Sequence, residues 1–197
     1  MNRRFTKITI LLAGSLFWAA CGGLGSGGPG TLTLKYPGTE KQEMPVKSGG
    51  FYTSTKSWSK SGQVSKSASY FICVADHEID MSRGAISIGG PVKSEGETKV
   101  CFSIDGEENT DDKTPLKTGT YGPAKRGEGF AFTSVSSASI RTFKDGKEVK
   151  KFLNESKSTG EVKITSASGD SISGEINLND GENEIKGNFS AKAFKSK

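Results

Sequence analysis

The sequence predicts an all-β fold, an antiparallel β-sandwich, and three observations carry that prediction. Hydrophobic residues make up only 32% of the 197 residues, while 26 are Gly. That balance suits sheets with one dry face, one wet face and many turns. Short segments of alternating polarity recur along the whole chain, separated by Gly, Pro, Asn and Asp. No long stretch carries the 3.6-residue period of an amphipathic helix. The length accommodates one domain with a sizeable core.

The strand signals run in order. "TLTLKY", 31–36, alternates Leu32, Leu34 and Tyr36 with Thr and Lys and stops at Pro37-Gly38. "GGFYTS" predicts a short strand around Phe51 and Tyr52, and "ASYFICVA", apolar on both faces, a central one. "GAISIGG" and "TKVCFSI" follow as strands, then "GTYGP" and "GFAFTSV". "SASIRTF" and "KEVKKFL" flank Asp145-Gly146, a hairpin signal because Gly readily adopts positive φ.

The last forty residues predict a three-stranded meander. Val162 and Ile164, then Ile172, Ile176 and Leu178, then Ile185, Phe189 and Ala191, form the dry face. Gly174 and Gly187 fall on that face, where a missing side chain admits a large neighbour from the facing layer or a sharp bend. Nine or ten short strands also suit a calycin-like antiparallel barrel, the alternative to the sandwich.

The N-terminus has the organisation of an export signal. Arg3, Arg4 and Lys7 precede an apolar run, Ile8 to Trp18. This run of eleven residues falls short of the ~20 needed to span a bilayer. Ala19-Ala20-Cys21 resembles the lipobox of bacterial lipoproteins, with Trp18 where that family prefers an aliphatic residue. The resemblance implies that Cys21 receives a diacylglycerol, that residues 1–20 are removed, and that the new amine is acylated. Ordinary signal-peptidase cleavage after Gly22 is the competing reading, since Ala20 and Gly22 meet the small-x-small rule. Residues 21–30 then form the lipidated Cys and a Gly/Ser-rich tether with a reach of about 15–20 Å. Residues 31–197 form the single β domain. Gly22, where an inner-membrane retention signal would carry Asp, points to the outer membrane of a diderm envelope.

A second resemblance lies further on. "PLKTGTYGP" and "GEVKIT…GDSISGEINL…IKGNFSAK", within 115–193, are similar to the C-terminal half of small secreted bacterial lipoproteins of uncharacterised function. That resemblance implies a β meander and brings no catalytic residue with it.

Export places the remaining cysteines, Cys73 and Cys101, in an oxidising compartment, where they are expected to form one disulfide. Alternation puts Cys101 opposite the apolar stripe Val100, Phe102 and Ile104, and Cys73 beside Phe71 and Ala75.

The charge argues against nucleic acid as a partner. The formal net charge is +5, but Arg3, Arg4 and Lys7 contribute three of the 27 cations; the rest balance 24 against 22 acids. The single His, His77, lies between Asp76 and Glu78, and adjacent strand or turn residues point apart. With no second His, no G-x-S-x-G elbow and no phosphate-cradling loop, the expectation is a non-enzymatic protein without a cofactor. "DGEENTDD", 105–112, offers Asp105, Glu107 and Asp111 as weak oxygen ligands without EF-hand spacing, and solvated hairpin tips are the plainer reading there and in "NDGENE".

The segment "TSTKSWSKSGQVSKSAS", 53–69, is expected to be a long loop. Its Trp58, with Lys56 and Lys60 on either side, is the candidate ligand-binding feature. Trp stacks on a sugar ring and Lys pairs with an acidic group, as a glycan or envelope polymer would need. The sequence therefore predicts a lipid-anchored envelope module that binds or supports. The membrane is reached through Cys21, an envelope protein or glycan is the further partner, and inhibition of a lytic enzyme through the Trp58 segment is the alternative.

Overall fold

A computed structural model describes residues 30–60, 62–83, 85–125 and 131–194. Residues 1–29, where the export signal, the lipidated Cys21 and most of the tether are expected, lie outside the described residues. The strands are β1 (Thr31–Lys35), β2 (Gln42–Pro45), β3 (Ser48–Lys60), β4 (Gln63–Ala75), β5 (Thr98–Glu108) and β6 (Gly119–Pro123). They continue with β7 (Ser134–Lys144), β8 (Lys147–Phe152), β9 (Thr159–Ala167), β10 (Ser171–Asn179) and β11 (Glu184–Ala193). One short helix, α1 (Ala85–Ile88), lies between β4 and β5.

The all-β prediction holds, and all eleven strands belong to one sheet. The order β10-β9-β6-β7-β5-β4-β3-β11 closes on itself because β11 also pairs with β10. Closure removes the long free edges of an open sheet. Two halves of the ring face each other across one core, as sandwich layers do, but the sheet between them is continuous. Pairing is antiparallel except at two short joins, β11 with β3 (Lys192↔Gly50) and β6 with β7 (Gly122↔Ser134). β1 and β2 extend the sheet beside the first half of β11, and β8 flanks the second half of β7.

The interior is filled by alternate side chains of every strand. Leu32, Leu34, Ile72, Phe102, Ile140 and Ile176 are fully or almost fully buried in one cluster. Phe102 of β5 meets Phe189 of β11 edge-to-face, with centroids 5.1 Å apart. The predicted meander is β9, β10 and β11, and all eight of its dry-face residues are buried.

Gly187 serves a different neighbour from the one expected. Its φ is +141°, and a Cβ there would sit 2.0 Å from the Thr31 carbonyl oxygen. The adjacent strand's backbone, rather than a residue of the facing layer, occupies the space. Gly174 likewise abuts the Lys163 carbonyl, beside a bulge between Ser173 and Gly174.

Three other expectations are corrected. Residues 53–69 are the arms of a long hairpin, paired without interruption from Ser48↔Ala75 to Lys60↔Gln63. Its Ser-rich sequence lacks an apolar alternation because the positions in parity with buried Phe51, namely Thr53, Thr55, Ser57 and Ser59, are polar. "GAISIGG" contains helix α1 instead of a strand. Cations from the barrel hold the carbonyls after it, a contact that local alternation cannot report. In "GFAFTSV", of which residues 129–130 lie outside the described residues, residues 131–133 are not strand and β7 begins at Ser134.

Register gives the barrel two ends. Tracing Gly49↔Val74, Val74↔Val100, Val100↔Ile140 and Ile140↔Lys151 places the β7–β8 turn at the end where β3 begins. Gly30 is at that end too: Val46 N–H donates to its carbonyl at 2.8 Å, just before β3. The β3–β4 turn lies at the opposite end.

Candidate functional site

The two ends carry different chemistry. On the outer face of the β3–β4 hairpin, alternation aligns Tyr52, Ser54, Lys56 and Trp58. Lys56 Nζ lies 2.8 Å from Asp105 Oδ2 and 5.0 Å from the centre of the Trp58 ring. Asp105 is completely buried, and Ser69 Oγ donates to its other oxygen at 2.7 Å. Trp58 is half-buried and meets Phe132 edge-on, with centroids 5.2 Å apart.

The structure thus brings Lys56 and Trp58 together and adds two residues the sequence reading had not joined to them. Asp105, a weak metal-ligand candidate from its sequence, is instead the counter-ion of Lys56. Phe132 is distant in sequence and reaches Trp58 only through the fold. Lys60 ends β3, its backbone paired with Gln63. The other two candidate acids turn elsewhere. Glu107 pairs with Lys117 at 2.7 Å, and Asp111 Oδ1 accepts from the Lys113 amide at 3.1 Å. Among the described residues no group of His, Cys, Asp and Glu could hold a metal ion.

Tyr70, Leu116, Lys117 and Tyr121 border a cavity of about 180 Å³. Tyr70 Oη donates to the Thr114 carbonyl, and Tyr121 Oη to the Lys117 carbonyl at 2.8 Å. Burial, with the neighbouring Tyr121 and Asp111 charges, pushes the Tyr70 phenol up to about 12.

The expected disulfide is present. Cys73 and Cys101 are directly opposed on β4 and β5 and bonded on the outer face of the barrel. Ile79 and Ile88 cover them, with Phe71, Met81 and Phe194 alongside, forming a second, smaller apolar cluster. The covering segment is clasped from below. Lys99, 2% exposed, donates to the Ile88 carbonyl at 3.3 Å and to the Gly90 carbonyl. Arg141 Nη1 donates to the Gly89 and Gly90 carbonyls at 2.7 and 3.1 Å. Both cations satisfy carbonyls at the end of α1. Burial, and then the Arg141 charge, brings the Lys99 ammonium down to about 8. His77 lies in the loop after β4, its Nδ1 3.0 Å from Asp76 Oδ1, which also accepts the Thr98 amide at 2.9 Å.

The end near Gly30 holds a feature that sequence reasoning missed. Leu153 is 5% exposed, while Phe152 beside it is 61% exposed and carries Lys150 Nζ 4.2 Å above its ring. A signal existed: two large apolar neighbours cannot both face inward from one strand. A cleft of about 450 Å³ opens beside them, bordered by Ser137, Ala138, Asn154 and Ser156, where β7 exchanges β6 for β8 as its partner. Asp180 fixes Asn154 at its border. Its carboxylate accepts the amides of Asn154 and Asn183, both at 2.7 Å. The "NDGENE" turn, expected to be solvated, is therefore a buried clasp at Asp180 and Asn183.

No protein-family model matches this chain, and no curated protein or solved structure does either. Among the described residues no helix is long and apolar enough to cross a membrane.

Proposed function

We propose that this chain is a lipid-anchored lipoprotein of a bacterial cell envelope, a non-enzymatic binding or structural module held to the outer membrane by acyl chains on Cys21. One observation carries the reading. Ala19-Ala20-Cys21 is followed by a Gly/Ser-rich stretch, and Gly30, at the end of that stretch, is joined to the barrel through the Val46 amide. The anchor motif and a self-contained body are thus separated by eight residues, 22–29, suited to a tether. The acyl chains supply membrane affinity at about 0.8 kcal/mol per buried CH₂. Metabolic labelling with a clickable fatty acid tests this. The wild-type chain takes the label and stays with membranes after a high-salt wash; Cys21→Ala loses both. A Cys21→Ala protein that still partitions with membranes, or an unlabelled wild type, refutes the anchor.

A second reading is favoured by the position of the Trp58 patch, at the end of the barrel opposite Gly30. There an anchored body would present Trp58 and Lys56 away from the bilayer, to an envelope glycan or a lytic enzyme. Pull-downs on peptidoglycan and on lysozyme-like enzymes, with Trp58→Ala as control, test it. Equal recovery of both forms counts against the patch.

A further inference from the structure

The β7–β8 hairpin has an unusual combination of features. β8 is an edge strand, paired only with β7. Lys144, Lys147 and Lys150 are exposed and Lys151 half-exposed along it. Among the described residues none of these four has a carboxylate within 4 Å. Of the nearby acids, Glu148 lies 3.8 Å from Arg141 and accepts the Val92 amide, and Glu95 accepts the turn amides of Asp145 and Gly146; the exposed Asp145 carboxylate at the turn offsets one of the four cations and leaves the hairpin net basic. Lysines alone would be explained as protection of a sheet edge against aggregation. Phe152 would not, because an exposed aromatic ring on an edge works against that protection.

Position supplies the remaining argument. The hairpin and Gly30 lie at the same end of the barrel, and the chain between Cys21 and Gly30 has a root-mean-square reach of about 15–20 Å. A body so tethered holds this end nearest the bilayer. Cations attracted to lipid phosphates beside one aromatic ring that enters the interface are the elements of reversible membrane docking.

We propose that the β7–β8 hairpin, through Lys144, Lys147, Lys150, Lys151 and Phe152, docks edge-on against a bilayer surface carrying anionic lipid. The proposal rests on the anchor reading for its geometry. It orients the body on the membrane, with the Trp58 hairpin facing outward.

The test uses the full chain as purified from membranes, mixed with vesicles of phosphatidylcholine alone or of phosphatidylcholine with phosphatidylglycerol. Flotation reports anchoring, and amide hydrogen exchange over 144–153 reports docking. Slower exchange of this segment on the anionic vesicles, reversed by high salt, is expected. Replacing the four lysines by Gln should weaken docking by roughly five-fold per lysine at low salt. Phe152→Ser should abolish the protection and leave the melting temperature unchanged. Equal exchange on both vesicle types, with the protein floating on both, overturns the proposal and leaves the anchor standing. Failure to float on phosphatidylcholine refutes the anchor instead. In that case flotation on anionic vesicles, lost in the four-lysine variant, still supports docking, and its absence overturns it.

Discussion

Lys99 makes the cap over the disulfide sensitive to pH in a direction opposite to that of a salt-bridged lysine. Burial holds its ammonium at about 8 in the folded protein, against an ordinary value of 10.5. Between those values the folded chain holds fewer protons than the unfolded chain, so stability rises with pH. The buried charge is a cost that is present at neutral pH and relieved as Lys99 deprotonates. Linkage between these two values gives a gain of about 2 kcal/mol from about pH 7 to pH 9.5. The window stays below the Tyr70 titration, at about 12 in the folded state. Urea unfolding of wild type and Lys99→Met across this range isolates the effect, because all other groups titrate in both proteins. The difference between the two stabilities should rise by about 2 kcal/mol in favour of wild type. A flat or falling difference would refute the assignment of a buried, charge-disfavoured Lys99.

Three further outcomes follow from the packing. Replacing Cys73 and Cys101 together by Ala opens a crosslink between residues 28 apart. Urea titration should show a loss of about 3.5 kcal/mol on the chain-entropy model, with reductant no longer affecting the variant. Gly187→Ala drives a Cβ to 2.0 Å from the Thr31 carbonyl at a φ of +141°. It should cost more than about 2 kcal/mol and speed amide exchange over 31–35; wild-type exchange there would refute the close approach. At Asp180 burial opposes ionisation, but the amide bonds from Asn154 and Asn183 outweigh it and hold the carboxyl below its ordinary 3.8. Its contribution is complete above that value and lost as pH falls through the folded one. Asp180→Ala should therefore destabilise by about 2–3 kcal/mol at neutral pH, and less in acid; an equal loss at both would refute the role of the charge.

Much of the barrel was legible because period-2 alternation is a local property. Leu32, Leu34 and the meander residues from Val162 to Ala191 alternate with polar neighbours, and each is buried as its parity requires. The disulfide was legible for the same reason, since parity put Cys101 on the face away from the core. The Ser-rich arms of the β3–β4 hairpin were not legible: their main chains pair, while their side chains carry no apolar period. Helix α1 was hidden too, because Lys99 and Arg141 come from strands outside its own segment.

The candidate surfaces divide along the same line. Trp58 and Lys56 stood out in the sequence as an aromatic among cations, but Asp105 and Phe132, which hold them, arrive from β5 and from the chain before β7. Phe152 stood beside Leu153 in plain view, and its exposure depended on which of the two the barrel took in. The sequence by itself determined an all-β body, its meander, its disulfide and the expectation of an anchor at Cys21, because alternation, cysteine number and signal-segment order are carried by neighbouring residues. Only the tertiary structure decided that the sheet closes on itself, that Asp105 neutralises Lys56, and that Gly30 shares an end with the β7–β8 hairpin. Those follow from hydrogen-bond register between strands far apart in the chain, which no local pattern encodes.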